Sequence, residues 1–245
     1  MTTVIGSPAM WFLHETHAVR GEVEDEFDAL VRETWIPGVA ETAGARLLYF
    51  LRHTHGTGPS YRSVTLTALE DAAAYEALAA SVARGALREV ASRLDGLRHD
   101  AEAKLLEPLP WSPLQRVDLG GVPKAGADHE LTLYMEDTVW PREGQLEEYV
   151  EKSGAHYARE MDGHERAGRA MLQVQGGFRT VFGSGRRREI VLWQKVVDPR
   201  LVLGLLTREV PAELQKPGTW MHDALSLRDQ WQSRLLRTTR WSPLA

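Results

Sequence analysis

The tetrapeptide Trp-Ser-Pro-Leu occurs twice in this 245-residue chain, at Trp111–Leu114 and at Trp241–Leu244. A repeat at a steady offset means that one structural unit is used twice, which removes most alternative folds before any residue is read for chemistry. The offset is 130, and at that spacing Leu105-Leu106 meets Leu235-Leu236, Lys104 meets Arg234, and Leu97-Arg98 meets Leu227-Arg228. Upstream, at an offset of 127, Gly56-Thr57-Gly58 aligns with Gly183-Ser184-Gly185, Val64 with Val191, Leu66 with Trp193, Asp71 with Asp198 and Arg52 with Arg179. A third anchor pairs Glu15-Thr16 with Asp137-Thr138, each followed by a glycine and an acidic helix start. Three anchors in one order define a tandem duplication, with halves at 1–119 and 129–245 and the Gly/Pro/Ala-rich stretch 120–128 as linker.

The halves carry the same succession of elements. In the first, Trp11–Val19 reads as a strand, and Glu22–Val39 as a helix with apolar residues at Val23, Phe27, Leu30, Val31 and Ile36, broken by Pro37-Gly38. Ala45–His53 and Tyr61–Leu69 form a hairpin around a glycine turn. A helix starting at Asp71 breaks near Gly85 and resumes to Leu105, and Trp-Ser-Pro-Leu reads as an edge strand, where proline is tolerated. The second half gives strand Leu131–Val139, helix Gln145–Met161, strands Ala170–Val181 and Ile190–Val197, and helix Trp220–Leu236. Strand–helix–strand–strand–helix–strand is the split βαβ, or ferredoxin-like, order. The expected fold class is therefore α+β: two tandem ferredoxin-like units forming an intramolecular pseudo-dimeric α/β barrel, with a cavity between its two sheets.

This pattern resembles the NIPSNAP family of the dimeric α/β-barrel superfamily. The likeness rests on the first strand, the acidic helix, Ala-Arg-Leu-Leu-Tyr-Phe-Leu-Arg at 45–52, the glycine turn, and the strand running into Leu-Glu-Asp before an alanine-rich helix. The superfamily includes cofactor-free monooxygenases, cyclases, isomerases and haem enzymes. The resemblance thus implies a ligand cavity but transfers no catalytic residue, because function resides in the site rather than the fold.

Bulk properties narrow the function classes. A net charge of −5 disfavours binding to nucleic acid. The absence of cysteine excludes disulfides, thiolate metal sites and cysteine nucleophiles. The amino-terminal Met-Thr-Thr-Val-Ile-Gly-Ser-Pro lacks the features of a secretory signal, and no apolar run is long enough to span a bilayer, so a cytoplasmic protein without membrane contact is expected. Gly-Thr-Gly and Gly-Ser-Gly lead into strands rather than helices and are not phosphate loops. Arg186 and its basic neighbours are too few for a nucleic-acid surface.

The candidate chemistry concentrates on the first half. His14-Glu15-Thr16-His17 lies on a strand, where residues three apart point to opposite faces, so the two histidines cannot share a metal ion. They are candidate proton shuttles with Glu15 as the carboxylate partner. His53 and His55 share a face but have no third ligand nearby, and no metal site is expected. Trp11, Tyr49, Arg52, His53, Tyr134 and Trp193 are the candidate substrate-binding residues, aromatic walls with an arginine for an anionic group. The duplicated arginines Arg52, Arg98, Arg179 and Arg228 have a second reading as intramolecular ion pairs. The favoured function is a small-molecule binder, and an enzyme of cyclase, isomerase or cofactor-free oxygenase type if catalytic; no cofactor is expected. The alternatives are a non-catalytic binding or assembly protein, as a homo-oligomer, or a haem-binding barrel.

Overall fold

The computed structural model describes residues 10–185 and 187–245. The amino-terminal segment and Arg186 read above lie outside them. The first half runs β1 (Trp11–Val19), α1 (Glu24–Leu30), a π-helical turn (Val31–Trp35), α2 (Ile36–Ala40), β2 (Ala45–His53), β3 (Arg62–Leu69), α3 (Ala72–Arg84), α4 (Arg88–Leu97) and β4 (Arg98–Pro108). The second half repeats it with β5 (Leu133–Pro141), α5 (Leu146–Ser153), a π turn (Gly154–Ala158), α6 (Arg159–Arg166), β6 (Leu172–Phe182), β7 (Ile190–Val196), α7 (Pro199–Thr207), α8 (Trp220–Asp223) and β8 (Arg228–Thr238).

Three features differ from the sequence expectation. Pro37-Gly38 does not break the first helix. The Ile36 amide bonds back to the Val31 carbonyl across a π turn, and the helix restarts with Pro37 in its first turn, where a missing N–H costs least. Residues 98–105 and 228–236, expected to be helical, are strand. Their outer stretches are exposed and show no apolar alternation, so only pairing with a distant neighbour defines them, as Leu105 opposite Leu13 and Ala103 opposite Glu15. Trp-Ser-Pro-Leu is accordingly the turn that follows each of these strands, not the strand itself.

The compact units do not coincide with the sequence halves. Unit 1 holds the residues up to Glu107, Gln115–Leu131 and Leu236–Ala245; unit 2 holds Pro108–Leu114 and Thr132–Leu235. Each unit therefore includes the Trp-Ser-Pro-Leu turn that follows the other half's last strand. In unit 1, β4, β1, β3 and β2 are neighbours in that order, with β1–β3, β1–β4 and β2–β3 antiparallel, and Leu236–Thr238 lies along the end of β2. The Phe50 amide donates to Ser242 Oγ at 3.0 Å, the Thr239 amide donates to the Phe50 carbonyl, and Trp241 stacks on Phe50 with ring centroids 4.7 Å apart. In unit 2, β6, β7 and β5 are antiparallel neighbours. There the Gly177 amide donates to Ser112 Oγ at 3.0 Å, and the Leu109 amide donates to the Gly177 carbonyl. Gly177 stands where unit 1 has Phe50, and only glycine fits, because a Cβ there would lie 2.7 Å from the Trp111 ring. The same turn is thus anchored by the same hydrogen bonds in both units.

Unit 1's core lies between one face of its sheet and the helices. Phe27, Leu30, Val31 and Ile36 of the first helical stretch pack with Leu47, Phe50 and Leu69 of the strands and with Leu78 and Leu94 of α3 and α4. Each such fully buried side chain contributes about 1.5–3 kcal/mol. Asp71 caps α3 by accepting from the Ala74 amide at 2.9 Å, which fixes where the helix leaves the sheet. No helix among the described residues is long and apolar enough to cross a membrane.

Candidate functional site

Strand alternation sorts the His-Glu-Thr-His segment onto two faces. Leu13, Glu15 and His17 point at the helices, whereas Phe12, His14 and Thr16 point away. The register with β3 and β4 places Thr65 beside Glu15 on one side and Ala103 on the other. A cavity of about 250 Å³ opens on this face, between sheet and helices inside unit 1. Phe27, Val31, Trp35, Leu78, Val82 and Leu94 form its apolar wall, and the π turn carries two of them, Val31 and Trp35.

The polar groups of the cavity form one chain of hydrogen bonds. Arg98, the first residue of β4, directs Nη1 at His17 Nδ1 at 2.7 Å, and His17 Nε2 meets Thr65 Oγ1 at 3.3 Å. The Thr65 hydroxyl in turn donates to Glu15 Oε2 at 3.3 Å. Asp95, at the end of α4, accepts from Arg98 Nε at 3.1 Å and steadies the guanidinium. His17 is 5% exposed, and its ring lies 5.5 Å from that of Phe27. Burial, with the nearby Arg98 and His14, pulls its pKa down to about 3, so the imidazole is neutral at physiological pH. Glu15 keeps part of its surface open to the cavity, yet its carboxyl is pushed above the ordinary range by burial, against the opposing pull of Arg98, the Thr65 hydrogen bond and His14.

The other residues singled out in the sequence do not join this cavity. His14, Tyr49 and His53 lie on the opposite face of unit 1's sheet from Glu15 and His17. Trp11 shares the helix-facing side but packs against the core beyond the cavity lining. Arg52 is held by Asp28 and Glu24 of α1 in ion pairs. Tyr134 and Trp193 pack together in unit 2, ring centroids 5.9 Å apart, and the Trp193 indole donates to Glu136, which also pairs with Arg234. The expected cavity between sheets is thus not where Glu15 and His17 point. Sequence reasoning missed Thr65, Asp95 and the pocket-facing role of Arg98.

Unit 2 answers the same positions differently. Asp137 stands where unit 1 has Glu15, and Val139 replaces His17. Gln194 Nε2 donates to Asp137 Oδ2 at 2.8 Å, the Ser233 hydroxyl donates to Oδ1, and the Tyr157 hydroxyl bonds Gln194. Asp137 is 5% exposed, and burial raises its pKa against the bonds from Ser233, Gln194 and Trp231. A larger hollow in unit 2, about 560 Å³, is lined by Lys152, His156, Trp220 and His222. Two of its ionisable groups are already paired, Lys152 with Glu148 and His222 with Asp223, so the Glu15 cavity is the better candidate.

Among the described residues no group of three or more His, Asp or Glu side chains is placed to hold a metal ion. Haem does not fit the Glu15 cavity. At about 250 Å³ it falls below the usual range of ligand pockets, and both ring nitrogens of His17 are engaged, leaving no lone pair for an axial bond.

No protein-family model matches the chain, and a sequence comparison with curated proteins finds no match. Solved structures do. A candidate monooxygenase from Fusobacterium nucleatum subsp. nucleatum superposes with a TM-score of 0.60 at 9% identity, covering 94% of this chain and 93% of that one. An anthrone oxidase-like protein gives a TM-score of 0.56 at 8% identity, covering 96% and 92%. A NIPSNAP family protein from Agrobacterium tumefaciens is 24% identical over 43% of this chain and 98% of its own, with a TM-score of 0.38. The full-length likenesses show the fold alone: the chain has the fold of the dimeric α/β barrels, with the ferredoxin-like unit duplicated in one polypeptide.

Proposed function

We propose that the Glu15 cavity binds a small, largely apolar molecule with an acidic C–H or O–H group and that Glu15 accepts its proton. The observation that carries this reading is a carboxylate of raised basicity opening into a cavity whose helix-side wall is apolar. Such a group is a poised general base, since burial destabilises its charged form and drives it to take up a proton. Asp95, the other carboxylate of the lining, is tied to Arg98. Arg98 brings positive charge to the same wall, where it favours the enolate or phenolate left behind. Cyclisation, isomerisation and cofactor-free oxygenation can each start from that anion.

The test is to recover co-purified small molecules by mass spectrometry and then follow exchange of the ligand's acidic proton in heavy water. Glu15→Gln is expected to slow exchange by about 10²–10⁴-fold with binding retained. Full exchange in that variant sinks the assignment. A second reading, self-assembly, is supported by α7, which exposes Leu201, Leu203, Leu205 and Leu206. A monomer at all concentrations in sedimentation would remove it.

A further inference from the structure

The hydrogen-bond chain in the Glu15 cavity has a fixed polarity that follows from the residue types alone. A guanidinium has donors and no acceptor, so His17 Nδ1, 2.7 Å from Arg98 Nη1, must offer a lone pair. A neutral imidazole with Nδ1 unprotonated carries its hydrogen on Nε2, and that hydrogen points at Thr65 Oγ1. Thr65, accepting from His17, keeps its own hydrogen for Glu15 Oε2. Reversing the first link would set two donors against each other, reversing the second would leave the ring without either N–H, and the ionised Glu15 carboxylate can only accept. Glu15 makes no other side-chain hydrogen bond among the described residues.

We propose that His17 is a positioning residue: pinned by Arg98 as an Nε2–H donor, it commits the Thr65 hydroxyl to Glu15, so that one carboxylate oxygen is held and the other faces the cavity. This rests on the reading of Glu15 as the base but concerns how that base is aimed. The imidazole, whose ring nitrogens are both occupied, does not itself carry protons to or from a ligand. The titratable groups around Glu15 are His17 on its own strand, His14 on the strand's far face, Asp95 and Arg98 from α4 and β4, and Tyr75 from α3. The first helical stretch contributes only Phe27, Val31 and Trp35 to the lining, and its Glu24 and Asp28 face Arg52. Unit 2 has Val139 and Leu192 at the places of His17 and Thr65, and there the carboxylate is held by Gln194 and Ser233 instead.

Nuclear magnetic resonance of the full chain tests this without a substrate. Nitrogen shifts of His17 are expected to show a single neutral Nε2–H tautomer from pH 5 to 8. A Nδ1–H tautomer or an imidazolium in that range overturns the proposal. The carboxyl-carbon titration of Glu15 supplies the second arm. Thr65→Val, which is isosteric, is expected to raise the Glu15 midpoint by about one pH unit, the worth of one hydrogen bond to a charged acceptor. Thr65→Ser is expected to restore it. His17→Gln is expected to keep it, because the amide can accept from Arg98 and donate to Thr65. An unchanged midpoint in a folded Thr65→Val protein overturns the proposal, since a purely structural Thr65 would leave Glu15 unmoved. If instead Glu15 proves dispensable for proton exchange while Thr65→Val still shifts its midpoint, the base assignment fails and the positioning chain stands.

Discussion

Glu15 and Asp137 occupy the same step of a duplicated strand, and their neighbourhoods have diverged in opposite directions. Around Glu15 the flanking positions are short: Thr65 and Ala103 border the cavity, and Thr67 follows on the same strand. Around Asp137 the corresponding side chains are Leu192, Gln194 and Ser233, and Tyr157 closes over Gln194. One copy keeps a carboxylate that takes a single hydrogen bond and meets a cavity. The other saturates its carboxylate with side-chain donors and is 5% exposed. Duplication makes this affordable: one unit can be packed for stability while the other retains an opening and a carboxylate with room to react.

The largest expected difference concerns acid. His17 has a depressed folded pKa of about 3, whereas in the unfolded chain it titrates near 6.5. Below pH 6.5 the unfolded state binds a proton that the folded state refuses, so stability falls as pH drops from 6.5 toward 3. Val139 gives unit 2 no counterpart. Relative to wild type, His17→Gln should spare about 3 kcal/mol of that loss, measured as the difference in unfolding free energy from urea titrations at pH 7 and pH 4, on the upper part of that window. Parallel pH profiles for the two proteins would show that His17 is not the buried neutral group described.

Next in size is the response to amidation. Asp137→Asn puts an amide among donors from Ser233, Gln194 and Trp231, so at least one N–H loses its acceptor, and a loss of about 2–3 kcal/mol is expected. Glu15→Gln should be neutral or stabilising at pH 7. Glu15's raised folded pKa means that the folded state gives up stability as pH rises above the ordinary carboxylate value; the amide removes that cost, and its advantage should vanish in acid. Equal destabilisation by both changes would end the contrast between an open and a saturated carboxylate.

The contrast was only partly legible in the sequence. The duplication and the strands β1, β2, β3, β5, β6 and β7 announce themselves through spaced identities and runs of Val, Thr and Leu. His14, Glu15 and His17 stand out as titratable residues of one strand, but the sequence does not tell which face of that strand opens on a cavity. β4 and β8 do not announce themselves, because stretches such as Ala101-Glu102-Ala103 are exposed and carry no apolar rhythm. Mistaking them for helix hid Arg98, which meets His17 across 81 residues of sequence, and Thr65, which lies 50 residues from Glu15. Such partners are fixed by strand register, which a single sequence does not print. The filling of unit 2 was likewise hidden, since Tyr157 and Gln194 meet only once a π turn has aimed the tyrosine.

The smallest expected effect bears most directly on the open copy. Ala103 sits at the exposed rim of the Glu15 cavity, opposite Glu15 on the neighbouring strand. Ala103→Leu should fill the space over Glu15 much as larger side chains do around Asp137, while leaving the fold intact, because the position is not in the close-packed core. With para-nitrophenol as a small aromatic acid probe, binding followed by calorimetry should weaken about tenfold, or ~1.4 kcal/mol, with the urea midpoint little changed. Ser233→Ala in unit 2 should not create para-nitrophenol binding, since Gln194 and Tyr157 still occupy the site. If Ala103→Leu binds the probe as wild type does, the ligand lies elsewhere, and the open cavity is a packing defect rather than the retained half of a duplicated site.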